Sequence, residues 1–144
     1  MQMFKSLEQD DAALVGWGVS VLLASASGEA GHTARRLAGL GGNVEVQGEL
    51  YDALSSLLDD PRSAQMLVID CESYGGLSAG RRAFSILAEE VPTCPVVLIA
   101  SEVREQTFPQ SRDAPIILRA PVSAVALRIA FETAFRGKLV VCGA

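Results

Sequence analysis

The sequence contains one histidine, His32, and three cysteines, Cys71, Cys94 and Cys142, with no C-x-x-C spacing. Such an inventory offers no local zinc ligand set and reads as reduced thiols of a cytoplasmic protein. Basic residues are few and scattered: 12 Lys and Arg stand against 17 Asp and Glu, for a net charge of −5. Without a basic stripe, nucleic acid and anionic membrane surfaces are not expected partners. No apolar run is long enough to span a bilayer, and two glycines interrupt the longest, "AALVGWGVSVLLA". The N-terminal "MQMFKSLEQDD" is mixed in charge and lacks the apolar core of a signal peptide. Aromatics make up only 6% of the chain, so Ala, Val and Leu must build its core. That mix suits helices packed on a parallel sheet better than a β-sandwich.

What is present is regular. The 144 residues, 49% of them hydrophobic, suffice for one domain with a proper core. Residues 1–18 read as an N-terminal arm, with Met3, Phe4 and Leu7 on one stripe. Residues 19–137 form the domain, and 138–144 an apolar tail. "VSVLLAS", "NVEVQ", "QMLVID", "PVVLIAS" and "APIILRA" have strand length and β-rich composition. Between them lie helical patterns: one ending at Gly41-Gly42, one carrying Leu50, Leu54, Leu57 and Leu58, and one carrying Leu77, Phe84, Ile86 and Leu87. A fourth connection, "EVREQTFPQSRD", is polar and broken by Pro109, so any helix there is short or irregular. A last helix follows Pro121 and stops at Gly137.

Alternating strands and helices imply an α/β fold: a doubly wound, flavodoxin-like parallel sheet of five strands in the order 2-1-3-4-5, with helices on both faces. In such sheets a site lies beyond the carboxyl ends of the strands. The residues to inspect are therefore Ser25 and Ala26, Asp70, Ala100 and Ser101, and Arg119, Ala120 and Pro121. The apolar run Met66–Ile69 stops at Asp70, a strand-end carboxylate that either reacts or accepts N–H bonds from the following loop.

The run "LVID", the "CPVVLIAS" with its proline opening a strand, and the "ILRAPVS" with its proline closing one are together similar to response-regulator receiver domains, over roughly Val19 to Arg136. The resemblance implies that Asp70 occupies the position that takes a phosphoryl group from a histidine kinase. It also implies an acidic, metal-holding pair where this chain has Ser25 and Ala26. A Thr or Ser is implied at Ala100, with Ser101 one residue late, and a Lys at Ala120, with Arg119 one residue early. The family's aromatic switch position falls near Ile116 and Ile117. Phosphoryl transfer to a carboxylate needs a divalent cation, and a hydroxyl and a methyl do not replace two carboxylates. The expectation is a stand-alone, degenerate receiver that binds no magnesium or other cofactor, performs no catalysis and signals by protein contacts. A histidine kinase or another signalling protein is the expected partner. The alternative is a working receiver in which Ser101 and Arg119 make shifted contacts to a phosphorylated Asp70.

Two other chemistries find partial matches in the sequence. "SASGEAGHT" loosely resembles the flavodoxin phosphate loop, with Ser25, Ser27, Gly28 and Thr33 as donors to a flavin mononucleotide or other nucleotide. Gly28 and Thr33 are too far apart for that tight cradle, and Ser/Gly loops commonly cap helices. Ser/His/Asp catalysis would need His32, but no G-x-S-x-G elbow exists. The last helix carries Val122, Val125, Leu127, Ile129, Phe131 and Phe135, more than the apolar arc of about 100° that packing on one face requires. Val122, Val125, Ile129, Phe131 and Phe135 are the candidate surface for a homodimer.

Overall fold

Leu67, Val68 and Ile69 are fully buried because their strand is central in a sheet covered on both faces. The computed structural model describes residues 17–26 and 30–143, the stretch 136–143 as backbone only. Strands β1 (Ser20–Ala24), β2 (Asn43–Gln47), β3 (Met66–Asp70), β4 (Val96–Ala100) and β5 (Ile116–Arg119) form one parallel sheet in the order 2-1-3-4-5. Among the described residues four α-helices accompany them: α1 (Ala30–Gly39), α2 (Leu50–Asp59), α3 (Leu77–Glu90) and α4 (Ala124–Gly143). The architecture is the one expected from the alternation of patterns.

Alternate residues of each strand face opposite layers. Leu22, Leu67, Ile69, Leu98 and Ile117 pack with Leu54, Leu57 and Leu87 of α2 and α3. Val21, Leu23, Val68, Ile99 and Leu118 pack with Leu37 of α1 and Leu127 and Phe131 of α4. The register therefore decides which strand-end residues share a side, and hence which can share a site.

Two sequence expectations change and a third sharpens. The fourth connection, where any helix is expected to be short or irregular, holds none. Its Thr107 instead pairs antiparallel with Ile117, through N–H to carbonyl bonds of 2.9 and 3.0 Å, and so covers the outer edge of β5. The last helix does not stop at Gly137; the backbone bends at Phe135 (φ −119°, ψ 17°) and continues helically to Gly143. A lone glycine costs a helix only about 1 kcal/mol relative to alanine, so it need not end one. Val122, Phe131 and Phe135 are core residues, 9%, 0% and 4% exposed, and not surface. Val122 packs just before α4, and Phe131 and Phe135 belong to the stripe 126, 127, 130, 131, 134, 135 that faces the sheet, which leaves Val125 (68% exposed) and Ile129 (38%) outside. Of the expected arm, residues 1–16 fall outside the described residues; Trp17 and Gly18 form a turn, with Gly18 N–H bonded to Gly41 O.

Candidate functional site

β3 ends at Asp70 because the chain turns there into a single 3-10 turn, Cys71–Tyr74. Gly75 and Gly76 follow with φ of 101° and 114°, a left-handed conformation that side chains rarely adopt, and this redirects the chain into α3. The turn is anchored at both ends. Cys71 is fully buried, and the Tyr74 hydroxyl donates to Gly48 O at 2.8 Å in the loop before α2. Burial, aided by the charges of Asp70 and Glu49, pushes the Tyr74 phenol up to about 12.

Asp70 is held by hydroxyls. Ser25 Oγ and Ser73 Oγ both donate to Asp70 Oδ2, each at 2.9 Å. Ser73 Oγ in turn accepts the Ala26 N–H at 3.0 Å. The ends of β1 and β3 are thus laced together through one carboxylate oxygen. Ser25 is 4% exposed, so its hydroxyl is spent inside the protein. Ser73 stands outside the strand-end positions that the sequence pattern marks. Its one signal is its place three residues after an aspartate at a strand end, a spacing at which side chains bond back into turns.

The neighbouring acids are likewise engaged. The Ser101 N–H donates to Glu72 Oε1 in a short contact, and the Ser101 hydroxyl and N–H together lower the Glu72 carboxyl below its ordinary range. Glu102 Oε1 accepts the Leu77 N–H at 2.7 Å, a carboxylate placed at the start of α3 where unpaired N–H groups gather.

The register sorts the remaining candidates. Ala100 points into the α2–α3 core, whereas Ser101 lines the same cleft as Asp70. Ser101, not Ala100, is therefore the residue on the Asp70 side, because the alternation continues one residue beyond β4. Arg119 lies on the opposite side from Ala120 and Pro121, which line the cleft. Its Nε donates to Val103 O at 3.0 Å, its Nη2 contacts Arg104 O, and its N–H donates to Gln106 Oε1 at 3.0 Å. Arg119 is thus tied to the fourth connection and makes no shifted contact at Asp70. Ala120 reaches the cleft with a methyl group alone.

The described residues around Asp70 do not complete a ligand set for a divalent cation. Ser25 Oγ is committed to Asp70, Ala26 has no donor atom in its side chain, and among the described residues no three His, Cys, Asp or Glu converge on one point. Of the flavodoxin-like loop, Ser25 donates to Asp70 and Thr33 lies on the α1 wall of the cleft. Ser27 and Gly28 fall outside the described residues. His32 lies on that same wall, with no hydrogen bond to a serine or to Asp70. Cys71 and Cys94 are free thiols, each raised by burial to about 11. No helix among the described residues is long and apolar enough to cross a membrane.

No protein-family model matches the sequence, and no curated protein matches it. Solved structures do. A response regulator receiver domain protein from Clostridium thermocellum is similar at a TM-score of 0.66 and 16% identity, over 85% of this chain and 98% of that one. The receiver domain of a sensor histidine kinase from Pseudomonas aeruginosa, with magnesium in its active-site cleft, gives 0.62 and 15% identity over 80% and 95%. A putative pilus assembly-related protein from Burkholderia pseudomallei gives 0.62 and 23% identity over 81% and 88%. Together with the 2-1-3-4-5 sheet and the aspartate closing β3, these likenesses settle the architecture: the chain has the flavodoxin-like fold of response-regulator receiver domains.

Proposed function

We propose that this chain is a degenerate receiver: a cytoplasmic signalling module that works through contacts with other signalling proteins, without catalysis, nucleic acid, magnesium or phosphoryl transfer to Asp70. One observation carries the reading: Asp70 Oδ2 accepts two serine hydroxyls, one of them from the position where a metal-holding acid would stand. A carboxylate that receives a phosphoryl group needs concentrated positive charge to offset the incoming negative charge. Here Ser25 and Ala26 supply none, Ala120 supplies none, and Arg119 is turned away. Incubation with acetyl phosphate and magnesium, followed by intact mass measurement, tests this. An unchanged mass is expected. Gain of one phosphoryl mass, lost in Asp70→Asn, would contradict it and restore the working-receiver reading.

The contact surface in this proposal is the outer face of α4, and the partner on it is a second copy of the chain. Val125 and Ile129 lie exposed one turn apart, flanked by Arg128 and Glu132, which pair at 3.2 Å. Around a two-fold axis such a face is self-complementary, apolar on apolar and Arg128 opposite Glu132 of the other copy. Sedimentation of the wild type should show a concentration-dependent dimer that Ile129→Lys abolishes; a strict monomer at every concentration would remove the dimer.

A further inference from the structure

Beside Asp70 a cleft of about 540 Å³ opens between α1 and the turn from β5 into α4. Its volume falls within the range of small-molecule sites, about 300–1,000 Å³. One wall is α1, where His32, Thr33 and Arg36 share a face by helical spacing. The other wall, Ala120, Pro121 and Val122, carries no charge. Asp70, Glu72 and Ser101 close the end formed by β3 and β4.

Opposite charges thus look into one space without joining. Arg36 forms no ion pair among the described residues; the ion pair present there is Arg128 with Glu132 on α4. Among the described residues Glu72 bonds Ser101 and forms no ion pair. A ligand bearing only negative charge would meet Glu72 and Asp70, and one bearing only positive charge would meet Arg36. The complement of this arrangement is a molecule charged oppositely at its two ends, with an apolar middle. A carboxylate suits Arg36 because the planar guanidinium grips it through two parallel bonds, and the Thr33 hydroxyl stands on the same face to add another. An ammonium suits Glu72, whose carboxylate offers more acceptor positions than its bonds to Ser101 fill.

We propose that this cleft binds a small zwitterion, its carboxylate at Arg36 and Thr33, its ammonium at Glu72, and its apolar body along Pro121 and Val122. The proposal rests on Asp70 being an unmodified carboxylate, as argued above. Such a ligand bridges α1 and the β5–α4 turn, next to the helix that carries Val125 and Ile129. It would give a receiver fold without metal or phosphate a chemical input.

The test is an amide NMR titration of the full chain with carboxylates bearing an amino group at the far end, from aminobutanoate to aminooctanoate. Hexanoate and hexylamine serve as single-charge controls. At least one length should produce saturable shifts around Arg36, Glu72 and Ser101, with a Kd at least about tenfold below both controls. Arg36→Gln, at an exposed helix position, should keep the melting temperature and weaken that binding by about tenfold or more. Absence of saturable shifts at every length would overturn the proposal. So would equal affinity for the single-charge controls, or unaltered affinity in Arg36→Gln. The acetyl phosphate experiment is read separately: a mass gain contradicts the account of Asp70, whereas a flat titration with an unchanged mass contradicts the ligand alone.

Discussion

The Ser25 hydroxyl donates to Asp70 Oδ2 at 2.9 Å and so fastens the end of β1 to the end of β3, with Ser73 closing the same oxygen from the turn beyond. A carboxylate in this setting holds strand ends together. Removing either hydroxyl takes a donor from a half-buried charge, at about 1–2 kcal/mol each. Ser25→Ala and Ser73→Ala should each lower the urea midpoint with an unchanged slope. Wild-type stability in both would show that the lacing contributes nothing.

Gly80 on α3 has no room for a methyl group. A Cβ there would lie 2.4 Å from Cys71 Sγ and 3.1 Å from Leu98 Cδ2. Gly80→Ala should destabilise by about 1–3 kcal/mol through overpacking. Cys71→Ala removes the closer obstacle, so the double variant should be more stable than the sum of the two single changes implies. Strict additivity in urea unfolding would refute this packing.

The thiols of Cys71 and Cys94 are both raised to about 11, chiefly by burial. In Cys142→Ser, neither remaining thiol should react with a thiol reagent at mildly alkaline pH until denaturant is added. The unfolded thiols ionise near about 8.5. Below that value folded and unfolded chains hold the same protons at these sites. Above it the unfolded chain releases them first, so stability should fall as pH rises from about 8.5 toward 11. Rapid labelling of the native protein would contradict the burial.

Glu72 carries the opposite sign. Its bonds to Ser101 lower the carboxyl, so their contribution is present above the unfolded value of about 4.3 and is lost as pH falls through the lower folded value. The Ser101 amide resonance should titrate below the ordinary glutamate range in the wild type and lose that transition in Glu72→Gln. Titration at the ordinary value would mean the bond does not form in solution.

Much of this was legible in the sequence because strand ends are. "LVID" and "VVLIAS" are apolar for their whole length because both faces of β3 and β4 are covered, and the polar residue that ends each marks the functional edge. Ser25, Ala26 and Ala120 stand out as strand-end positions without charge for the same reason. What stayed hidden depends on direction. Whether Ser101 or Ala100 shares a side with Asp70 follows from the alternation carried past the end of β4, and the turn of Arg119 into the fourth connection follows from partners 13 to 16 residues away. Ser73 looks like any loop serine until the 3-10 turn brings it back to Asp70. On α4 the composition showed surplus apolar residues, but only the phase of the helix against the sheet sends Phe131 and Phe135 inward and leaves Val125 and Ile129 outside.

Whether Asp70 takes a phosphoryl group is tested most directly by a titration with beryllofluoride and magnesium, following the amide resonances of Cys71, Ser73 and Ser101. Resonances that stay in place at concentrations saturating an ordinary receiver are the predicted result. Saturable shifts at these three amides, lost in Asp70→Asn, would show a pocket that still recognises the phosphoryl mimic and would contradict the account.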